Sequence, residues 1–290
     1  MNQINVTSEL HRWPGSPVRN TWQEQPGSVR GNDRRIETLA SREILNLDQN
    51  SLTYNRLIES CRSRISSRFA AALRRRKVAT GDYLIHQDEL VDTVYFPETA
   101  VVSEFHLLND GRTVEVALTG NESAVGLSAV FGHKNATNGS QVCIGGTVVA
   151  VSRDLLEAEI ARDNELRLAF TSSLMERMAQ LSLRVTCNSF HSVEQRFCNW
   201  LLTLCVSSDR RSLPVTHEQI ARALGVHRPS VTFIAQSLRE KGLINYTRGR
   251  IAIRNISGLS KLACGCGSGE SEVLDIRHIS RPYSEPASVL

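Results

Sequence analysis

Residues 216–253 read THEQIARALGVHRPSVTFIAQSLREKGLINYTRGRIAI, and this stretch decides the fold of the C-terminal part of the chain. Thr216 is followed three residues later by Gln219, a capping-box pattern that opens a short helix. Gly225 follows that helix, at a point where a sharp turn needs a residue that tolerates positive φ. A second helix begins near Arg228, with Pro229 in its first turn, where the missing N–H is harmless. The stretch therefore predicts two short helices joined by a tight turn.

The apolar spacing across this turn is that of a helix-turn-helix. Ala221, Gly225, Val231 and Ile234 are separated by 4, 6 and 3 residues. This puts a small residue where the helices cross and returns apolar side chains of the second helix to the first. Two helices that merely pack remain the alternative.

The segment after the second helix predicts a β-hairpin. The apolar runs 243–246 and 250–253 flank Thr247-Arg248-Gly249, with the glycine at the turn. A helix-turn-helix followed by a basic hairpin is a winged helix, and it places Arg248 and Arg250 to meet phosphates.

The second helix presents two faces when it is drawn at 100° per residue. Val231, Ile234, Ala235 and Leu238 fall on one face, which we expect to be buried. Arg228 stands at the N-terminal end, where an arginine can bind guanine O6 and N7. The exposed Phe233 fits contact with thymine methyls or sugars, or with another protein surface. The predicted DNA-binding residues are Thr216, His227, Arg228, Pro229, Ser230, Thr232, Phe233, Gln236, Arg248 and Arg250.

Charge is distributed unevenly along the 290 residues, whose formal net charge is only +4. Residues 188–262 contain eleven Lys or Arg and four Asp or Glu, a net charge of +7. Residues 263–290 carry −2, so residues 1–187 carry 4 − 7 + 2 = −1. A basic domain attached to a nearly neutral one indicates a phosphate-binding module with a separate sensor or dimerisation unit.

Residues 73–152 have the pattern of an antiparallel barrel or roll. Short β-branched runs at 94–96, 100–102, 113–118 and 147–151 are separated by turn signals such as Thr80-Gly81-Asp82. The basic run Arg74-Arg75-Arg76-Lys77 is either a nucleic-acid patch or, as we prefer, a solvated strand face.

A long helix from about Asp163 to Cys187 follows the roll. Its apolar residues are spaced by 4, 4, 3 and 4, as in a short coiled coil. Dimerisation is the preferred interpretation, and a core helix packed on its own roll is the alternative. The predicted dimerisation residues are Phe170, Leu174, Met178, Leu181 and Val185.

Both ends of the chain are polar. We expect residues 1–53 to be a disordered extension that can gain a helix near Ile44 to Leu57, and residues 263–290 to be a fraying tail. No apolar run approaches a membrane span and the N-terminus lacks a signal-peptide pattern, so we expect a cytoplasmic protein without a membrane partner. Seven cysteines, an odd number, argue against a disulfide framework.

The chain as a whole resembles the Crp/Fnr superfamily of bacterial transcription regulators from about residue 55 to 262. The motifs that carry the resemblance are Gly81-Asp82-Tyr83-Leu84, Val94-Tyr95-Phe96-Pro97, Gly111-Arg112-Thr113-Val114-Glu115-Val116, Gly120-Asn121-Glu122-Ser123-Ala124-Val125-Gly126-Leu127, His191-Ser192-Val193-Glu194-Gln195-Arg196 and Leu224-Gly225-Val226-His227-Arg228-Pro229-Ser230-Val231-Thr232.

The resemblance implies an α+β fold: a cyclic-nucleotide-binding-type β-roll over 54–162, a dimerisation helix over 163–187 and a winged helix over 188–262. It implies a homodimer on a two-fold operator, with RNA polymerase as a further partner. Arg228 matches the family's first base-reading arginine. Pro229 and Phe233 stand where members often carry glutamate and arginine, so operator preference should differ from that of the cAMP receptor protein.

The sensor region departs from the cAMP-binding pattern. Val125-Gly126-Leu127 and Gly139-Ser140-Gln141 stand where that pattern needs Gly-Glu and an Arg-Ser or Arg-Thr pair, so the phosphate-neutralising arginine is absent. We therefore expect an effector other than cAMP, of unknown identity. The candidate effector pocket is Gly120, Glu122, Val125, Gly126, Leu127 and Ser140.

The sequence predicts no cofactor and no metal. An iron–sulfur cluster is disfavoured because only Cys61 lies in the first 140 residues. His86, His106 and Cys143 are possible haem ligands, but lone histidines are usually structural. Cys264-Gly265-Cys266 is one ligand set short of a zinc site, which leaves a metal or redox pair as the alternative to a frayed tail.

The functional hypothesis is therefore a sequence-specific DNA-binding regulator. The alternative is a small-molecule sensor that acts mainly through protein contacts. An enzyme is disfavoured, with no catalytic residue assigned, because no nucleophile elbow or P-loop is present and Cys198 with His191 lacks a supporting motif.

Overall fold

The computed structural model describes residues 44–46 and 53–266. Most of the predicted N-terminal extension and the tail from residue 267 lie outside the described residues. Within the extension, Ile44–Asn46 forms a strand that pairs antiparallel with Arg74–Arg76. The predicted helix near Ile44 to Leu57 is therefore wrong at its start, and residues 47–52 of it lie outside the described residues. The first helix of the described part of the chain begins at Arg56, capped by the Asn55 side chain.

The N-terminal half is a β-roll of two four-stranded sheets, in the orders β1-β2-β8-β4 and β3-β7-β5-β6, with every pairing antiparallel. The strands are β1 (Ile44–Asn46), β2 (Arg74–Val78), β3 (Tyr83–Ile85), β4 (Thr93–Pro97), β5 (Val101–Leu107), β6 (Thr113–Thr119), β7 (Gly139–Ile144) and β8 (Gly146–Ser152). The predicted roll is confirmed, and the basic run Arg74–Lys77 is part of strand β2.

Alternation of buried and partly exposed side chains explains most of these strands. A close contact between a glycine and an aromatic ring explains where strand β7 begins. Val94 and Phe96 are fully buried, whereas Thr93 and Tyr95, which alternate with them, are only partly buried. Strand β7, which the pattern did not predict, begins at Gly139 beneath Phe105. A Cβ there would lie 2.5 Å from that ring, so a larger residue would have to displace Phe105.

Eight α-helices lie in the described part of the chain: α1 (Arg56–Ser60), α2 (Ser67–Ala72), α3 (Arg153–Arg162), α4 (Asn164–Phe190), α5 (Val193–Ser208), α6 (His217–Leu224), α7 (Arg228–Glu240) and α8 (Ile256–Leu262). The long helix α4 begins where the Asp163 carboxylate accepts hydrogen bonds from two backbone N–H groups of its first turn. It ends at Phe190, three residues beyond the predicted end. None of the described helices is both long enough and apolar enough to cross a membrane.

The predicted dimerisation seam on α4 is divided. Phe170 is only 1% exposed and meets Phe96 edge-to-face at 6.2 Å, and Leu174 packs against the same core. These two residues belong to the roll, as in the alternative interpretation, because the N-terminal half of α4 lies on the sheet. Met178, Leu181 and Val185, further along, are exposed.

The C-terminal domain carries a three-stranded wing in the order β10-β11-β9. Its strands are β9 (Ser212–Leu213), β10 (Ile244–Thr247) and β11 (Arg250–Ile253). The predicted hairpin is confirmed, with Gly249 at φ +73 in its turn. Strand β9 lies between α5 and α6. A two-residue strand gives no alternation to detect.

Glu115 on β6 joins the β-roll to the C-terminal domain. It is buried, and its carboxylate accepts hydrogen bonds from Ser103 Oγ at 2.7 Å, Trp200 Nε1 at 2.8 Å and Arg184 Nη2 at 2.9 Å. These donors lie on β5, α5 and α4. One carboxylate therefore links a strand of the roll, the long helix and the first helix of the C-terminal domain.

Candidate nucleic-acid interface

The helix-turn-helix is built from α6 and α7 as the sequence predicts. Thr216 and Gln219 form the reciprocal capping box at the start of α6. Gly225 ends α6 in the left-handed conformation, φ +64, and the N–H of Val226 reaches back to the carbonyl of Ala221 at 3.0 Å. Helix α7 then starts at Arg228 with proline in its first turn.

Helix α7 has one buried and one exposed face. Val231, Ala235 and Leu238 are fully buried and Ile234 is partly buried, in agreement with the predicted inner face. The residues of the predicted outer face are all exposed: Arg228, Pro229, Ser230, Thr232, Phe233 and Gln236. Phe233, at 75% exposed, is an apolar side chain that the fold of a single chain does not use.

Two residues of the outer face make contacts within the domain. The Thr232 hydroxyl donates to the carbonyl of Arg228 at 3.2 Å and lies 3.2 Å from His217 Nδ1. Gln236 donates to Glu240 at 3.0 Å. In the described part of the chain the Arg228 guanidinium has no hydrogen-bond or ion-pair partner, so this cation at the helix N-terminus is available to a ligand.

His217 lies behind the start of α7, a position that sequence reasoning did not single out. Burial and the positive charge of Arg228 lower the pKa of His217, which favours the neutral imidazole. Its ring meets Tyr246 of the wing at 5.1 Å, and Arg239 stacks over the same tyrosine at 5.4 Å. These contacts connect α6, α7 and the wing, and no spacing rule predicts them because they join three separate elements.

The wing presents its own cations. Arg248 is exposed at the tip of the hairpin, and no partner for its side chain is found among the described residues. Arg250, also exposed, donates to Ser212 Oγ at 3.2 Å. With Thr216 and His227, also exposed, the ten predicted DNA-binding residues all lie on the surface of this domain.

Comparison with known proteins identifies the family. A family model described as a Crp-like helix-turn-helix domain matches residues 195–262, and one described as a cyclic nucleotide-binding domain matches residues 75–163. The chain belongs to the Crp/Fnr superfamily. It is a DNA-binding transcriptional regulator of the Crp/Fnr type that carries a cyclic-nucleotide-binding-type domain.

Individual relatives are distant. The global nitrogen regulator of Synechocystis sp. is 25% identical over 59% of this chain and 80% of its own length. The cyclic AMP receptor protein of Thermus thermophilus is 22% identical over 66% of this chain and 88% of its own. Among solved structures, FixK2 of Bradyrhizobium japonicum superposes with a TM-score of 0.57 at 18% identity, covering 66% of this chain and 96% of that one. The superposition shows a shared fold.

The residues predicted to form an effector pocket in this Crp/Fnr protein lie in different surroundings. Val125 and Leu127 are buried in the hydrophobic core, so their side chains are structural. Gly120 lies against α5, where a Cβ would come within 3.1 Å of Ser207, and its N–H donates to Glu122 at 2.8 Å. Gly126 takes φ +83 beside Ile85.

Ser140, the remaining pocket candidate, is buried and pairs across the sheet with Glu104 of β5. Glu104 forms an ion pair with Arg177 of α4, and Arg177 also donates to Thr119 Oγ1 at 2.7 Å. Sequence reasoning missed this pair, because 73 residues separate its partners. It connects the predicted sensor region directly to the long helix.

Cys198 and His191 are residue types that could form a catalytic pair, but no sequence motif supports that role. Cys198 is fully buried in α5. Burial raises the pKa of its thiol to about 12. A thiol that stays protonated near neutral pH is a poor nucleophile. Cys198 is therefore a core residue of the C-terminal domain.

Proposed function

We propose that the protein acts as a homodimer that reads a two-fold operator with the helix starting at Arg228, under the control of an effector bound by the β-roll. The observation that carries this proposal is the outer face of α7, where every residue expected to reach DNA is exposed and Arg228 has no partner within the described residues. The net charge of +7 on residues 188–262 supplies the attraction to phosphates.

Dimerisation is supported by the exposed apolar residues in the C-terminal half of α4. Met175, Met178 and Val185 are 55%, 60% and 67% exposed. Together with Ser182 and Ser189 they repeat at intervals of 3, 4, 3 and 4, the spacing of a coiled-coil seam. Both serine hydroxyls donate to the carbonyl four residues earlier, at 3.0 Å, so they bring no unpaired donor to an interface.

The effector differs from cAMP in this proposal. The expected phosphate-binding arginine is replaced by the Gly139-Ser140-Gln141 segment, and Ser140 lies opposite the carboxylate of Glu104. A cyclic phosphate there would lack a dedicated cation and would compete with that carboxylate for Arg177. We also propose a cytoplasmic location and RNA polymerase as a partner, as for regulators of this type.

Selection of random DNA duplexes by the purified protein tests the proposal, followed by gel shifts with single variants. Arg228→Ala should weaken binding to the selected operator by about 5–150-fold, which corresponds to about 1–3 kcal/mol, with little effect on random DNA. Arg248→Ala should weaken both and reduce the salt slope by about 0.9. Arg68→Ala, an exposed arginine on α2, is the matched control and should bind like the parent.

Two outcomes would contradict the proposal. Normal operator binding by Arg228→Ala would remove α7 as the reading helix. Failure to enrich any palindrome would favour the alternative, a sensor that acts through protein contacts, for which the exposed Phe233 is a ready anchor.

A further inference from the structure

Four side chains of metal-ligand type meet where the long helix ends. They are Cys187, His191, Cys264 and Cys266, and their ligand atoms all lie within 4.8 Å of one another. The Sγ atoms of Cys187 and Cys264 are 3.3 Å apart, and Cys266 Sγ is 3.5 Å from His191 Nδ1. Cys187 and Cys264 are buried, and the other two are partly buried. The cluster contains none of the residues assigned to the DNA surface.

The fold explains how these four residues come together. Cys187 and His191 are four residues apart at the end of α4, on one face of the helix, and the N–H of His191 donates to the carbonyl of Cys187 at 3.1 Å. Helix α8 is held by the fully buried Leu259, and the chain beyond it brings Cys264 back under the end of α4. The expectation of two thiols in a fraying tail is therefore wrong for residues 263–266.

The ligand set selects the class of metal. Three cysteines and one histidine are a common set for structural zinc, and the cluster includes no carboxylate of the kind that calcium or magnesium needs. Bond lengths of about 2.3 Å to sulfur and about 2.0 Å to nitrogen put the ligand atoms of a tetrahedral site about 3.5–3.8 Å apart. Separations of 3.3 Å to at most 4.8 Å match one ion and leave too little room for a cluster of several irons.

Arg196 provides an independent observation beside this cluster. It donates to Asn188, the residue after Cys187, at 3.0 Å, and its charge acts on the Cys187 thiol. Its Nε is buried and has no hydrogen-bond partner within the part of the chain that the structure describes. Three thiolates around a dication leave a net charge of about −1, which a neighbouring guanidinium offsets.

We propose that Cys187, His191, Cys264 and Cys266 bind one zinc ion, which fastens the C-terminal end of the winged-helix domain to the end of α4. Only His191 and Ser192 separate α4 from α5, so one short connection joins the long helix to the DNA-binding domain. The zinc ion adds a second connection there, 77 residues further along the chain. Zinc occupancy therefore fixes how the DNA-binding domain is held against the long helix.

Metal analysis of the full-length protein tests this proposal. The protein is purified under reducing conditions, loaded with zinc, passed over a desalting column and analysed by plasma mass spectrometry. The parent should retain one zinc per chain, and cobalt loading should give the visible absorption of a tetrahedral thiolate site. Cys266→Ser and His191→Ala should each lose the bound metal, because each substitution removes one of the four ligands. Both residues are only partly buried, so their replacement leaves the core intact.

Cys205→Ala is the matched control, since it removes one thiol from α5 outside the cluster and should keep the zinc. Circular dichroism of each variant establishes that it is folded. Substoichiometric zinc in the loaded parent, or full zinc in folded Cys266→Ser and His191→Ala, would overturn the proposal. So would iron in place of zinc, or a Cys187–Cys264 disulfide that persists after zinc loading.

A second measurement rests on the proposed function and separates the two ideas. Removal of zinc by a chelator should weaken binding to the selected operator in the parent and leave Cys266→Ser unchanged. If no operator is found, the metal analysis still tests the zinc site, because it does not depend on DNA binding.

Discussion

Replacing Glu115 with glutamine measures how strongly the β-roll holds the DNA-binding domain. The carboxylate accepts hydrogen bonds from Ser103, Trp200 and Arg184, and its side chain is only 4% exposed. Glutamine has almost the same shape, and its carbonyl oxygen can keep the bonds from Trp200 and Arg184. What it removes is the negative charge opposite Arg184.

The magnitude follows from this geometry. Hydrogen bonds to a charged group contribute about 1.5–3 kcal/mol each, against about 0.5–1.5 kcal/mol for neutral pairs. The Arg184 side chain is 26% exposed, so water compensates part of the lost charge pairing. We expect Glu115→Gln to lower the free energy of unfolding by about 2 kcal/mol. Glu115→Ala, which leaves Trp200 without an acceptor as well, should cost about 3–5 kcal/mol.

Urea unfolding followed by tryptophan fluorescence is a suitable assay, because Trp200 is itself a donor to Glu115. With a denaturant slope of about 2 kcal/mol/M, the glutamine variant should lower the midpoint by about 1 M. Glu157→Gln makes the same change on the exposed face of α3 and should shift stability by less than about 0.5 kcal/mol. A Glu115→Gln midpoint equal to that of the Glu157→Gln control would refute the reasoning.

Three further predictions follow from single contacts. Gly225→Ala should cost about 1–2 kcal/mol in urea unfolding from left-handed backbone strain alone, since the new Cβ would meet only Val114 at an ordinary 3.7 Å. Phe170→Ala should cost about 3–5 kcal/mol, whereas Met178→Ala should leave the fold intact and raise the dimer dissociation constant in sedimentation experiments. Folding lowers the pKa of His217, so its contribution to the free energy of unfolding is present above about pH 6.5 and is lost as the pH falls. The urea midpoint of His217→Gln should therefore fall less than that of the parent when the pH is lowered below about 6.5.

The sequence predicted those elements whose signals are local. The capping box at Thr216, the glycine turn and the proline start each depend on residues within a few positions, and all of them are present in the structure. The faces of α7 follow from a period of 3.6 residues, because this helix packs on one side only. The same rule failed on α4, since that helix packs Phe170 on the roll at one end and exposes Met178 at the other.

What the sequence could not predict are contacts between residues far apart in the chain. Cys187 and Cys264 look like unrelated thiols until the winged-helix domain closes the 77 residues between them. The Glu104–Arg177 pair and the Glu115 contacts likewise depend on how the roll sits against α4. No periodicity in the sequence predicts contacts between residues so far apart. The effector pocket, four of whose six residues are buried and two partly buried, stays a prediction.

Two arginines, from α4 and α5, bind the C-terminal end of α6. Arg184 of α4 and Arg196 of α5 donate to the carbonyls of Ala223 and Leu224, at 3.4 Å and 3.0 Å, where a helix end favours cations. Arg184 also holds Glu115 on the roll. Because α6 is joined to α7 by only three residues, we expect a shift of α4 to reach the proposed DNA-binding face through these bonds. The Arg177–Glu104 pair lies on the same helix two turns earlier, so we expect a ligand that disturbs this pair to act on α4 and, through it, on the proposed DNA-binding face.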